Sequence, residues 1–116
     1  MLRIQTNNPQ QFIERINHAI SEGKNSTWGV DKDGDYFITL TEWKSKAWMR
    51  PRLSDTEPQI LRFGILEPKS EKLTKATYAI FHCRFAEMLL ALFDTCIDSL
   101  DISPMLDSDY DTYSHT

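Results

Sequence analysis

Asp31-Lys32-Asp33-Gly34-Asp35-Tyr36-Phe37-Ile38-Thr39-Leu40-Thr41-Glu42 is the stretch whose reading decides the fold. Its first four residues are turn formers, and Gly34 can take positive φ at no steric cost. From Asp35 the chain alternates, so Tyr36, Ile38 and Leu40 fall on one face of an extended strand. The segment predicts a tight turn at Lys32-Asp33-Gly34 feeding a strand over 35–42.

The same twelve residues resemble an EF-hand calcium loop, with acids at loop positions 1, 3, 5 and 12 and Ile38 at position 8. That resemblance implies a calcium ion held between Asp31 and Glu42. Two features oppose it. Loop position 6 is Tyr36, where the family has the glycine of the sharp turn, and a bulky ring at positive φ costs about 1 kcal/mol or more. An EF-hand also needs a helix running straight in and another straight out. Here Gly23, Asn25-Ser26-Thr27 and Gly29 punctuate the approach, and the exit keeps a period of two and meets Pro51. The hairpin is therefore the reading adopted, with calcium binding as a third alternative behind the two functions given below.

Working outward, Leu2 to Gln5 suits a short edge strand, and Asn8-Pro9 followed by Gln11 starts a helix that Gly23 ends. Phe12, Ile13, Ile16, Ala19 and Ile20 form its apolar stripe. Strands are expected over 27–31, 35–42, 47–53 and 59–66. The inward sets are Tyr36, Ile38 and Leu40, then Ala47, Met49 and Leu53, then Leu61, Phe63 and Ile65, and Pro51 places its strand at an edge or makes it irregular. A second helix is expected from a Ser70 cap to Leu100, with an apolar arc of roughly 200°, wider than one sheet normally covers. The surplus points to a homodimer through Phe81, Phe85, Leu89, Leu92 and Cys96, or else to cover by the first helix and the C-terminal tail. The fold class is α+β, in the order α-β-β-β(β)-α, an antiparallel meander sheet packed by two helices. Residues 1–103 make a single domain and 104–116 an acidic tail, which Met105, Leu106, Tyr110 and Tyr113 could dock.

The 116 residues are 41% hydrophobic, the content of one ordinary globular domain. The net charge of −4 is unevenly spread. Residues 1–84 hold all thirteen Lys and Arg against ten acids, whereas 85–116 hold seven acids and neither Lys nor Arg. Cys83 and Cys96 are too far apart along one helix to pair, which fits a reducing, cytoplasmic setting. The longest apolar-rich run, around Ala86 to Phe93, is too short to span a bilayer, and no membrane partner is expected.

Even positions from 44 to 52 read Lys44, Lys46, Trp48, Arg50, Arg52, and a strand there would show four cations and a tryptophan on one face. Arg62 extends this set on the next strand. Cations follow phosphates and an aromatic ring stacks on bases, as in single-stranded nucleic-acid binders, but such a face also suits a protein partner. The acids Asp107, Asp109 and Asp111 alternate similarly and could fold back on it. The catalytic inventory is poor: His82 and Cys83 diverge by roughly 100° on a helix, and Glu14, His18 and Glu22 read better as solvated i, i+4 pairs than as metal ligands. No catalytic residue, metal or cofactor is assigned. The expected function is a small non-enzymatic cytoplasmic interaction or regulatory protein that binds a protein partner and self-associates. The alternative is single-stranded nucleic-acid binding.

Overall fold

The computed structural model describes residues 1–104 and 113–114. Elements follow in the order β1 (Leu2–Gln5), α1 (Pro9–Ser21), β2 (Trp28–Val30), β3 (Tyr36–Ile38), β4 (Trp48–Arg52), β5 (Ile60–Glu67), α2 (Lys75–Phe93), a 3-10 turn (Asp94–Cys96), β6 (Ser99–Ile102) and β7 (Tyr113–Ser114). Six strands form one antiparallel sheet, ordered β2-β3-β4-β5-β1-β6, and β7 runs parallel along β5. The α+β class and the antiparallel meander are as expected.

The stretch that decides the fold is a hairpin. Trp28, Gly29 and Val30 pair with Ile38, Phe37 and Tyr36, and residues 31–35 close the turn with Gly34 at φ +85°. Asp31 organises it: its Oδ1 accepts from the backbone N–H of Asp33 at 2.9 Å and of Asp35 at 3.0 Å. Strands flank the loop where an EF-hand has helices, so the calcium-loop geometry is excluded by the fold itself. On the outer face the end of the Phe37 ring sits over Gly29, where any Cβ would stand 2.6 Å from it.

Tyr36, Ile38, Met49, Leu61, Phe63, Ile65, Leu2 and Ile4 cover the inner sheet face, all buried under both helices. Phe85 of α2 is the aromatic hub, with ring centroids 4.8 Å from Trp28, 5.3 Å from Tyr36 and 4.8 Å from Phe63. The Tyr36 hydroxyl donates to Asn17 Oδ1 of α1 at 2.5 Å, tying the hairpin to the other helix. Burial holds this phenol protonated well above the usual tyrosine range.

Five expectations are corrected. Leu2 to Gln5 is no edge strand, because β6 pairs with its outer side from Leu2↔Ile102 to Gln5↔Ser99. The second helix is shorter than expected: Thr74 caps it by accepting from the Thr77 N–H, and α2 ends at Phe93. The chain then turns because Gln5 O accepts from the Asp98 N–H and Thr6 Oγ1 donates to Cys96 O, bonds that draw 97–102 into the sheet. Leu40 and Leu53 are 38% and 53% exposed, since β3 stops at Ile38 and β4 at Arg52. In place of Leu40 the turn swings Trp43 inward, its ring centroid 6.2 Å from Phe81. By length and composition Lys75–Cys96 could cross a membrane, contrary to the shorter run read from sequence, yet its apolar face is the core of this domain. The fifth correction concerns self-association: Phe81, Phe85 and Leu89 are wholly enclosed by the chain's own sheet and helix layer.

Pro51 fits its place. β3 pairs β4 only at Tyr36↔Met49, so at Pro51 the strand is locally an edge although it lies inside the sheet order. Of the expected tail, Tyr113 belongs to β7, while Met105, Leu106, Asp107, Asp109, Tyr110 and Asp111 lie outside the described residues.

Candidate functional site

Both helices pack on one sheet face, and among the described residues no helix packs on the opposite face. Strand pairing places three arginines in a single row there. Arg3 of β1 is opposite Arg62 of β5, and Arg62 is opposite Arg52 of β4. Directly paired residues share a face at Cβ separations of about 5 Å, so like charges in such a row oppose folding unless acids or a ligand offset them. Arg50 and Trp48 follow on the same face of β4, two and four residues before Arg52.

Acids border the row. Arg3 Nη1 is 3.4 Å from Asp101 Oδ2, its partner on β6. Arg62 Nη2 donates to Glu57 Oε1 at 2.6 Å. Arg50 makes a bidentate pair with Asp35, 2.7 Å for each bond, and Asp35 is fully buried. The hydrogen bonds that Arg50 donates to Asp35 raise the Arg50 pKa above its ordinary value, with further support from the charges of Asp35, Asp33 and Asp31. The carboxylates of Asp31, Asp33 and Asp35 offer oxygens within 4.8 Å of one another, and Asp35 among them meets the Arg50 guanidinium.

The expected six-residue patch is thus redistributed. Trp48, Arg50, Arg52 and Arg62 share the outer face, but Lys44 and Lys46 sit in the 41–46 turn, where Ser45 has φ +64°. Lys46 Nζ is 3.0 Å from Glu71 Oε1. Arg3 was missed, because nothing in local spacing says that β1 lies beside β5. A cation at an outward position of a short strand was the one available signal. Of the self-association set, Leu92 is 37% exposed and Cys96 half-buried, its Sγ 3.2 Å from Arg15 Nη1.

The remaining candidates separate. Glu14, His18 and Glu22 border a cleft of about 520 Å³ between α1 and the end of α2, and His18 Nε2 pairs with Glu22 Oε1 at 3.1 Å. Cys83 is exposed while His82 is fully buried, and no hydrogen bond joins the two among the described residues. Burial is the main cause that lowers the His82 pKa to about 4. In the unfolded chain this ring protonates near pH 6.5, so its contribution to stability is complete above that pH. It is lost progressively as the pH falls from 6.5 to 4. Urea titrations at pH 7, 5 and 4 should show a steeper loss of stability for the natural chain than for His82→Phe, and parallel losses would refute this role.

Comparison with protein-family models, with curated proteins and with solved structures finds no match to this chain.

Proposed function

We propose that this chain is a small non-enzymatic interaction module whose working surface is the helix-free sheet face, and that it recognises an acidic segment of a protein partner. The in-register row Arg3, Arg62, Arg52 carries this reading. Guanidinium groups match carboxylates in bidentate geometry, and three of them across adjoining strands span about 10 Å, the reach of a short extended peptide. Asp101, Glu57 and Asp35 interleave with the arginines, which favours a ligand of discrete carboxylates over a continuous phosphate chain. Single-stranded nucleic acid is the second reading, supported by Trp48 on the same face.

The tail enters as a competitor. β7 carries the C-terminal segment to Leu66 and Glu67 of β5, the strand that holds Arg62, and the sequence ahead of β7 contains Asp107, Asp109 and Asp111. Self-association is no part of this proposal, since Phe81, Phe85 and Leu89 are core residues.

Tryptophan fluorescence titrated with a poly-glutamate peptide and, separately, with oligo-thymidine at two salt concentrations tests the reading. The peptide should bind, more weakly at high salt, and Arg3→Gln, Arg52→Gln and Arg62→Gln should each weaken it about threefold to tenfold. Removing residues 105–116 should tighten it. Tighter binding of the oligonucleotide would transfer the assignment to nucleic acid, and binding of neither would end it.

A further inference from the structure

A groove of about 420 Å³ runs between α2 and the end of β6, with walls that are chiefly apolar. Tyr78, Ala79, His82 and Cys83 line it from the helix, and Ile102 and Pro104 from the strand side. It is on the helix side of the fold and shares no residue with the arginine row. His82 is the one fully buried polar side chain among these. Its Nδ1 is 2.9 Å from Tyr78 O, and a carbonyl can only accept, so Nδ1 carries the proton. Nε2 is therefore the lone-pair nitrogen. It is buried with no hydrogen-bond partner among the described residues.

The ring is held firmly. It stacks on Tyr78 with centroids 3.9 Å apart, and the Tyr78 hydroxyl donates to Ser103 O at 2.6 Å, which fixes the strand side of the groove against the helix. With Nδ1 turned back to the helix backbone, Nε2 stands at the far end of the ring from Cβ. A buried acceptor left unbonded is a desolvation cost that a ligand carrying one donor recovers on binding. Apolar pockets with a single placed polar atom are the usual form of a small-molecule site.

We propose that this groove binds a neutral, mainly apolar small molecule with one hydroxyl or N–H group, which donates to His82 Nε2 while its apolar body lies against Ala79, Ile102 and Pro104. The ligand class is that of phenols and indoles. A charged ligand is disfavoured by the apolar walls, and a pure hydrocarbon would leave Nε2 unbonded.

Phenol and toluene serve as probes of nearly equal size, one with the donor and one without. In the full chain labelled with ¹⁵N-histidine, saturating phenol should move the His82 Nε2 resonance from the position of a free acceptor to that of a bonded one. Toluene should not. Phenol should bind about tenfold more tightly than toluene, the worth of one buried hydrogen bond. In His82→Phe that preference should vanish. Equal affinities in the natural chain would overturn the proposal, as would an Nε2 resonance already in the bonded position before phenol is added. Phenol shifts confined to residues away from Tyr78, His82 and Ile102 would do so as well. If His82→Phe fails to fold, the two probes on the natural chain still decide the matter.

Discussion

Arg50→Met is expected to lower stability by about 3 to 4 kcal/mol. The substitution keeps much of the side-chain volume and removes the charge that meets Asp35, a carboxylate with no solvent exposure. A buried acid deprived of its cation cannot recover its hydration, whereas an arginine deprived of its acid can. The Arg50 side chain is already 33% exposed, so in Asp35→Asn the guanidinium swings outward and the cost should be no more than about half as large. The double variant should be less damaging than the two single losses added together, because it removes both charges. Urea unfolding of the four chains measures this cycle. Arg50→Met within about 0.5 kcal/mol of the natural chain would show that the pair does not hold the hairpin.

Phe85→Ala is expected to cost about 4 kcal/mol. The ring is fully buried and touches the aromatic side chains of three strands: Trp28 on β2, Tyr36 on β3 and Phe63 on β5. Truncation opens a void bounded by rings that cannot collapse into it without breaking their own edge-to-face contacts. Phe85→Leu should recover about half of the loss, since a branched aliphatic fills part of the space. Leu90→Ala on the same helix, at a residue 48% exposed, should cost under about 0.5 kcal/mol. The contrast between these variants in thermal or urea unfolding also tests which face of α2 is core. If Leu90→Ala were the more damaging, α2 would have to present its other side to the sheet.

Much of the fold was legible because its signals are local. Asn8, Pro9 and Gly23 bound α1 close to where cap chemistry puts them, and Asn8 Oδ1 accepts from the Gln11 N–H as that chemistry requires. Alternation placed Tyr36, Ile38, Met49, Leu61, Phe63 and Ile65 inward, and all are buried. Three elements escaped because their causes are distant in sequence. Residues 97–102 carry the composition of a helix end, yet backbone bonds from Asp98 to Gln5 and from Ser103 to Met1 make them a strand. Leu40 follows the strand period, but the turn that seats Trp43 beside Phe81 leaves it in solvent. The width of the apolar arc on α2 suggested a second subunit; the sheet and α1 bury the stripe of Tyr78, Phe81, Phe85 and Leu89, whereas Leu90 and Leu92 stay exposed.

The candidate site divides in the same way. Sequence spacing could align Trp48, Arg50 and Arg52, because a strand shows every second residue on one face. It could not foresee that Arg3 completes the row from the other end of the chain, since register between β1 and β5 is set by their shared inner face: Leu2 against Phe63 and Ile4 against Leu61. Nor could it show that Asp35, one of the acids resembling a calcium loop, is answered by Arg50 on β4. The sequence by itself determined the elements with strong caps or clean alternation, because those depend on residues within a few positions of each other. Only the tertiary structure decided strand order, the burial of Asp35 and His82, and the arginine row. Those depend on which segments, far apart along the chain, come to lie side by side.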